Sequence, residues 1–262
     1  MSGQLELVGP VAVVTGVSSG IGRAIAGALA RAGAHIAGVH LGAAENAAAV
    51  TAEISDAGRE SHIVVGDTGD PATHSALAEA ALERWGSLDT WVNNAARLMV
   101  KPLVETTDED WHELLAANLH GYFYGCRTAA KAMYPQGRGR IINVSSAVDH
   151  LAVANLAAYT TAKNGIVGLT RTVALEAAPH GVTCNAIAPG AIETPLNASA
   201  YTPSVRATYE QRIPLSRIGT AEEIADVVVF MAATASRYMT GHEIVVDGGL
   251  VIDGTVGHAS QD

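Results

Sequence analysis

The sequence predicts a single α/β domain in which helices cover both faces of a doubly wound parallel sheet of about seven strands. Short β-branched runs alternate with longer Ala-rich helical stretches from residue 11 to residue 246. A chain of 262 residues, of which 48% are hydrophobic, can bury a large core in one such domain. We therefore expect residues 1–262 to form one unit.

Each predicted strand is a run of mostly β-branched or apolar residues, and each predicted helix is a longer stretch rich in helix-forming residues. The strands are predicted at residues 11–15, 35–39, 62–65, 88–92, 140–144, 181–187 and 243–246. The helices are predicted at residues 21–32, 44–57, 71–85, 108–133, 157–178 and 221–235. This alternation is typical of βαβ units, in which a helix crosses between parallel strands.

One segment interrupts the regular alternation. Residues 189–216 contain prolines at positions 189, 195, 203 and 214. A long loop-rich segment in an otherwise regular fold is often a mobile cover over a binding site. We predict that residues 189–216 form a substrate-binding loop or lid.

Composition and charge argue against several functions. The formal net charge of −10 does not suit a nucleic-acid backbone, which needs a basic surface. Cys126 and Cys184 lie in apolar segments without Cys-x-x-Cys spacing, which indicates buried, reduced thiols. No signal peptide or bilayer-spanning apolar run is visible, so we expect a cytoplasmic protein. The ten histidines lack metal-ligand spacing, and no metal site is expected.

A glycine-rich turn joins the first predicted strand to the first predicted helix. It reads Gly16-Val17-Ser18-Ser19-Gly20-Ile21-Gly22. Glycines allow a tight turn and let a pyrophosphate approach the backbone, while the helix N-terminus supplies N–H donors and a positive dipole end. Because a strand precedes the turn and a helix follows it, this motif predicts a Rossmann dinucleotide site.

Tyr159 and Lys163 stand four residues apart in a predicted helix, so their side chains share one face. A free phenol has a pKa near ~10 and is a poor acid–base catalyst at neutral pH. A nearby ammonium group favours the phenolate and is expected to lower that pKa. The pair therefore predicts a general acid/base.

Taken in order along the chain, the motifs resemble those of the short-chain dehydrogenase/reductase family, in its 3-oxoacyl-reductase and glucose-dehydrogenase-like branch. The resemblance runs from about residue 8 to residue 250, and Ala96 departs from the glycine usual in the family. The matching motifs are Thr15-Gly16-x-x-x-Gly20-Ile21-Gly22, Asn93-Asn94-Ala95-Ala96, Asn118, Ser146, Tyr159-x-x-x-Lys163, Pro189-Gly190, Thr194 and Val246-Asp247-Gly248-Gly249.

The resemblance implies a catalytic role for four residues. Tyr159 would exchange a proton with the substrate oxygen, and Lys163 would stabilise the phenolate and bind the nicotinamide ribose. Ser146 would orient the substrate oxygen. Asn118 would perturb its long helix and hold a water in a proton relay to Lys163. The implied coenzyme-binding residues are Gly16, Ser18, Ser19, Gly20, Ile21, Gly22, His40, Leu41, Asp67, Thr68, Asn94, Ala95, Tyr159, Lys163, Pro189, Gly190, Ile192 and Thr194.

The residue at the end of the second strand normally determines the preference for NAD or NADP. An acidic residue there selects NAD, and a nearby arginine accommodates NADP. His40 and Leu41 occupy this position, and no acidic residue follows until Glu45. No Lys or Arg occurs in the segment either, although Arg23 lies at the start of the first helix. This pattern leans slightly towards NADP or the use of both coenzymes.

The substrate is predicted from polar residues near the catalytic groups, which suit a secondary alcohol or ketone in a sugar or polyol. These residues are Arg97, Ser146, Asp149, His150, Asn197 and Tyr201. Two alternatives stay open, a 3-oxoacyl thioester reductase and a nucleotide-binding Rossmann protein without turnover. The resemblance also implies a homotetramer.

Overall fold

The first strand, β1 (Val11–Thr15), lies in the interior of a seven-stranded sheet, third from one edge. The structure is a computed structural model that describes residues 5–42 and 44–253. All five residues of β1 are buried, as expected for an apolar strand that is covered on both faces. The other strands are β2 (His35–His40), β3 (Ser61–Val65), β4 (Thr90–Asn93), β5 (Gly139–Val144), β6 (Val182–Pro189) and β7 (Glu243–Val246).

The strand order is β3-β2-β1-β4-β5-β6-β7, and each neighbouring pair is parallel. The chain therefore winds outward from β1 to β3, returns to the centre at β4, and winds outward again to β7. In open sheets of this kind, ligands bind beyond the carboxyl ends of the strands where the order reverses. The predicted doubly wound parallel sheet is confirmed.

Helices cover both faces of the sheet. The helices are α1 (Gly20–Arg31), α2 (Ala48–Asp56), α3 (Pro71–Trp85), α4 (Asp108–Leu115), α5 (Gly121–Met133), α6 (Ala157–Ala177), α7 (Pro203–Arg212) and α8 (Ala221–Ala232). Apolar side chains of α1, α2 and α8 form one core, and those of α3, α5 and α6 form a second core on the opposite face. These two cores hold the strand ends, and therefore the site, in place.

The helix predicted over residues 108–133 is interrupted. A π-helical turn, Ala116–His120, separates α4 from α5, and Asn118 lies buried within it. Single π-helical turns inside α-helices are rare and are often found at functional sites. The predicted perturbation of this helix at Asn118 is confirmed.

The segment 189–216 is more regular than predicted. Its central part forms α7, whose N-cap is Thr202 and whose first residue is Pro203. The Thr202 hydroxyl accepts a hydrogen bond from the N–H of Val205 at 3.4 Å. A threonine cap followed by proline is a helix-start signal, which the many prolines in this segment obscured. The prediction of an irregular loop was therefore wrong for residues 203–212.

The remaining features agree with the predictions made from the sequence or differ from them by a few residues. Strand β4 lies two residues later than predicted at its start, and β6 extends to Pro189. Cys126 and Cys184 are buried free thiols, as expected. Within the described ranges, no helix is long and apolar enough to cross a membrane.

Candidate active site

A cavity of about 1060 Å³ lies beyond the carboxyl ends of the central strands. Its walls include the turn after β1, the loops after β4 and β5, and the end of β6. Every residue predicted from the sequence to bind coenzyme lines this cavity, as do Ser146 and Tyr159. The topology thus brings together motifs that are far apart in the chain.

The glycine turn has a backbone that other residues could not adopt. Gly16 and Gly20 have φ values of 70° and 52°, in the region that favours glycine. A Cβ atom on Gly22 would lie 2.0 Å from the carbonyl oxygen of Gly16. Ser19 precedes α1 without a side-chain cap, which leaves the helix N-terminus open towards the cavity. This geometry suits a phosphate group.

Asn94 fixes the glycine turn to the loop after β4. Its side-chain amide donates to the carbonyl oxygens of Thr15 at 2.9 Å and Gly16 at 3.3 Å. The Thr15 hydroxyl in turn accepts from the N–H groups of Asn94 and Ala95 at 2.9 and 3.0 Å. The two loops therefore form one rigid wall.

Two buried polar atoms in the cavity wall have no hydrogen-bond partner among the described residues. They are Nδ1 of His40 and Oγ1 of Thr194. Buried polar atoms are normally paired, so orphaned ones in a cavity wall indicate where a ligand binds. Their positions, at the end of β2 and beyond β6, fit a dinucleotide that extends along the carboxyl edge of the sheet.

Arg23, the basic residue considered above for the binding of NADP, is already paired with an acidic side chain. Its guanidinium group forms an ion pair with the Glu53 carboxylate. His40 is buried, while Leu41 beside it is 58% exposed and also lines the cavity. The β2 end therefore offers neither a carboxylate nor an unpaired guanidinium group from these residues.

Lys163 is buried on α6, with 1% of its surface exposed. Its Nζ donates to the carbonyl oxygen of Val144 at 2.8 Å and to the hydroxyl of Tyr122 at 3.4 Å. The Tyr122 hydroxyl donates to the same Val144 carbonyl at 2.9 Å. Tyr122 is a site residue that the sequence reasoning missed. Its position four residues after Asn118, on the same helical stretch, is the signal that could have revealed it.

The electrostatics of the catalytic pair differ from the prediction. Burial raises the pKa of Tyr159 to about 12, with a smaller opposing effect from the hydrogen bond with Ser146. Burial also lowers the pKa of Lys163 to about 7. Desolvation disfavours the charged form of each group and is the largest cause of both shifts. The pKa of the phenol is therefore raised overall, where the sequence predicted a lowered value.

Asn118 acts on the loop after β4 through its side chain. Its Oδ1 accepts from the N–H of Arg97 and its Nδ2 donates to the Arg97 carbonyl, both at 2.8 Å. The π-helical turn aims this amide at that backbone. The side chain thus holds the cavity wall, and the relay water stays a prediction.

The residues predicted to contact substrate separate into two groups. Arg97, Asn197 and Tyr201 line the cavity. The side chains of Asp149 and His150 instead face Glu243 on β7, and neither residue is among those that line the cavity. The structure therefore does not bring these two side chains to the predicted substrate region.

Asp149, His150 and Glu243 form a polar cluster beside Ser145, the residue before Ser146. Nε2 of His150 lies 3.1 Å from Oε2 of Glu243 and 3.4 Å from Oδ1 of Asp149. Each of the three residues offers one ligand-type atom within 4.8 Å of the others. Glu243 is distant in sequence, so sequence spacing could not reveal this cluster.

Comparison with known proteins places the chain in a family. The family model described as enoyl-(acyl carrier protein) reductase matches residues 16–251. A short-chain type dehydrogenase/reductase from Mycobacterium marinum has the same fold, with a TM-score of 0.89 at 32% identity over 94% of this chain and 97% of its own. This chain belongs to the short-chain dehydrogenase/reductase family.

Curated relatives of this short-chain dehydrogenase/reductase differ in the substrates they are named for. It is 35% identical to 3beta-hydroxysteroid dehydrogenase 1 of Eggerthella lenta, over 94% of the chain and 95% of the relative. It is 36% identical to L-rhamnose-1-dehydrogenase of Scheffersomyces stipitis, over 97% and 99%. It is also 36% identical to a 3-oxoacyl-[acyl-carrier-protein] reductase of Staphylococcus aureus, over 91% and 97%. The short-chain dehydrogenase/reductase is an oxidoreductase that acts on CH–OH groups of small molecules, and these relatives do not select one substrate.

Proposed function

We propose that this enzyme interconverts a secondary alcohol and a ketone with NAD or NADP as coenzyme. The observation that carries the proposal is the meeting of Ser146, Tyr159 and Lys163 in the wall of the cavity that also contains the glycine turn. A hydroxyl, a phenol and an amine beside a dinucleotide cradle suit proton exchange coupled to hydride transfer.

In the oxidative direction, the substrate hydroxyl gives its proton to the phenolate oxygen of Tyr159, and the carbinol carbon loses hydride. A nicotinamide coenzyme held in the cavity would supply the hydride acceptor and, in its oxidised form, a positive charge near the site. Ser146, which hydrogen-bonds Tyr159, orients the substrate oxygen. Lys163 stabilises the phenolate, and Asn118 holds the adjoining wall and takes part in the proposed water relay.

The coenzyme is held by the residues that line the cavity at its glycine-turn end. The backbone of residues 16–22 binds the pyrophosphate, and Thr194 uses its unpaired hydroxyl for the carboxamide. His40 binds the adenosine ribose with its unpaired Nδ1. Because His40 and Leu41 at the end of β2 supply no carboxylate to select NAD and Arg23 is paired with Glu53, we expect both coenzymes to bind with similar affinity.

A sugar or polyol is the second candidate for the substrate. It is favoured by the relative named L-rhamnose-1-dehydrogenase. A 3-oxoacyl thioester is favoured by the relative named for that reaction. It is disfavoured by the net charge of −10 and the absence of lysine after Lys163, because an acidic carrier protein needs a basic docking surface.

The cytoplasm and a homotetramer remain proposals that rest on the family resemblance. Size-exclusion chromatography with light scattering tests the tetramer, since a monomer near the chain mass of 26.9 kDa would contradict it.

The reaction is tested by absorbance at 340 nm with NAD and NADP against a panel of secondary alcohols, sugars and ketones. Tyr159→Phe removes the proton-exchanging oxygen, and we expect kcat to fall by about a thousandfold or more. Tyr238→Phe is the matched control, because Tyr238 is fully exposed and lies outside the cavity wall. Undiminished turnover by Tyr159→Phe would contradict the proposed role. Coenzyme binding without turnover of any panel member would favour the nucleotide-binding alternative.

A further inference from the structure

The cavity extends past the catalytic groups into a region with an apolar wall. This region lies between the loop after β4, the loop after β5 and the segment that contains α7. The apolar side chains that form it are Leu98, Val148, Leu151, Val153, Leu196 and Val205. We call these six residues the apolar wall.

Some of these side chains are exposed in the protein alone. Val153 is 38% exposed and Leu196 is 43% exposed. Solvent-exposed apolar side chains that converge on a catalytic group indicate a surface that a ligand covers. The exposed members of the apolar wall therefore point to an apolar ligand surface.

Several polar groups in the same region already have protein partners. The Asn197 amide donates to the carbonyl of Ile192 at 3.0 Å, and the Thr208 hydroxyl donates to the Ser204 carbonyl at 2.9 Å. The Arg97 guanidinium lies 3.1 Å from a Glu113 carboxylate oxygen. These groups are therefore less able to satisfy the hydroxyls of a bound sugar.

Tyr201 and Tyr209 also line the cavity, where they pack against the hydrophobic cluster of Ala191, Ile213 and Leu250. Further polar groups lie at the outer edge and at the reacting centre. Arg212 is exposed at the end of α7, and Ser146 and Tyr159 are committed to the carbinol oxygen in the proposed reaction. The best hydrogen-bonding position for a substrate oxygen is thus at the reacting carbon, beside Ser146 and Tyr159. The rest of the bound substrate lies against the apolar wall.

On this basis, and resting on the proposed function, we propose that the substrate is a secondary alcohol or ketone whose reacting carbon is part of a bulky apolar ring system or chain. Each methylene buried against the apolar wall improves affinity by about fourfold. Each sugar hydroxyl buried without a partner weakens affinity by about fivefold or more. Both effects favour an apolar substrate over a sugar of similar size.

An apolar substrate would undergo the same bond changes as in the proposed function. The carbinol C–H bond breaks with its electron pair passing to the coenzyme as hydride, and the O–H proton passes to Tyr159. The carbonyl bond forms at the same carbon. The apolar wall takes no part in these bond changes and acts only on binding.

The test compares 1-decalone, cyclohexanone and L-rhamnose with either coenzyme in the direction each allows. We expect kcat/KM for 1-decalone to exceed that for cyclohexanone by at least about tenfold, because 1-decalone adds four carbons to bury. We expect L-rhamnose to be the poorest of the three. A higher kcat/KM for L-rhamnose would overturn the inference and leave the proposed reaction standing.

A variant isolates the apolar wall. Val153→Thr keeps the shape of the side chain and replaces one methyl group with a hydroxyl, so we expect KM for 1-decalone to rise by about fivefold. Val104→Thr is the matched control, because Val104 is 93% exposed and outside the cavity wall. An equal KM in wild type and Val153→Thr would contradict the inference.

A binding measurement separates failure of the inference from failure of the proposed reaction. Calorimetric titration of 1-decalone into the enzyme loaded with NADP⁺, with which a ketone cannot react, should give a negative heat-capacity change of binding. Binding without turnover would contradict the proposed reaction and support the apolar site. Absence of binding would contradict the apolar site, even where another alcohol is oxidised.

Discussion

The hydroxyl oxygen of Ser145 lies 2.6 Å from Oε1 of Glu243, which belongs to the edge strand β7. The same hydroxyl lies 2.7 Å from Oδ2 of Asp149. A serine hydroxyl has one hydrogen to donate, so one of the two carboxyl groups must carry a proton to complete both contacts. Burial and the neighbouring Asp149 raise the pKa of Glu243, in agreement with a shared proton.

This arrangement predicts the pH dependence of a stability change. A carboxyl group whose pKa is raised on folding contributes stability below its unfolded pKa of 4.5, and this contribution is lost as pH rises through the folded pKa. Glu243→Gln removes the charge but keeps a hydrogen-bonding side chain. We expect the free energy of unfolding of the variant, relative to that of the wild type, to increase by about 1 kcal/mol as the pH rises from 4.5 to 8.

Urea denaturation at the two pH values measures this change. Asp149 and His150 are the charged groups that face Glu243, and both remain in the variant. Glu79→Gln, an exposed position on α3, serves as the control that should show no such trend. A difference between Glu243→Gln and wild type that does not vary with pH would exclude the shared proton.

The contribution of Lys163 to the free energy of unfolding is expected to change with pH in the direction opposite to that of Glu243. Burial lowers its pKa from 10.5 to about 7, so between these values the unfolded chain binds more protons and wild-type stability rises with pH. Lys163→Met removes this dependence. We expect the stability of the variant relative to wild type to be highest at pH 7 and to fall by about 3 kcal/mol towards pH 10.

Denaturation from pH 7 to pH 10 tests this expectation. Lys131→Met on α5 removes an exposed lysine and should show no trend across the same range. A relative stability that stays level would mean that Lys163 is charged throughout.

Tyr122 supports Lys163 and is predicted to affect turnover without touching substrate. Tyr122→Phe removes the oxygen that lies 3.4 Å from the Lys163 amine. We expect kcat/KM to fall by about tenfold and the free energy of unfolding to fall by about 1 kcal/mol. Steady-state kinetics and denaturation measure the two effects.

Tyr124→Phe on the same helix is the control for Tyr122→Phe, since Tyr124 packs on His74 by its ring. A loss of stability with unchanged kcat/KM would assign Tyr122 a purely structural role. Unchanged apparent pKa values in the pH–rate profile would lead to the same conclusion.

The coenzyme preference is predicted to change at Leu41, which is exposed at the edge of the cavity. Leu41→Arg supplies the guanidinium group that a 2′-phosphate attracts, so we expect the Kd for NADPH to fall by about tenfold, with NADH little changed. Fluorescence titration with each reduced coenzyme measures this. Leu103→Arg is the control at an exposed position outside the cavity wall, and an equal gain there would point to nonspecific attraction.

The catalytic tyrosine predicts the pH dependence of the rates. Because burial places the pKa of Tyr159 at about 12, the phenolate becomes more abundant as pH rises. We expect alcohol oxidation to accelerate between pH 6 and pH 10, while ketone reduction stays level because the phenol remains protonated throughout this range. Initial rates in both directions measure this trend, and parallel profiles in the two directions would contradict it.

The strand and helix alternation could be read from the sequence because apolar periodicity is a local property. The glycine turn and the Tyr159/Lys163 spacing are local as well, so the order of residues is enough to place their elements. The helix α7 was missed because its capping signal at Thr202 and Pro203 competes with nearby prolines that predict loops. Local signals fail where two of them disagree.

The sequence by itself determined the doubly wound sheet, and it predicted the dinucleotide turn and the candidate catalytic side chains. Only the tertiary structure decided how these groups are charged and what surrounds them. Burial sets the pKa values of Tyr159 and Lys163, and it depends on packing from several elements. Likewise, strand order brings Glu243 to Asp149, and loop packing turns the apolar wall towards the reacting centre. Solvation and proximity are properties of the folded chain, and no local pattern of residues encodes them.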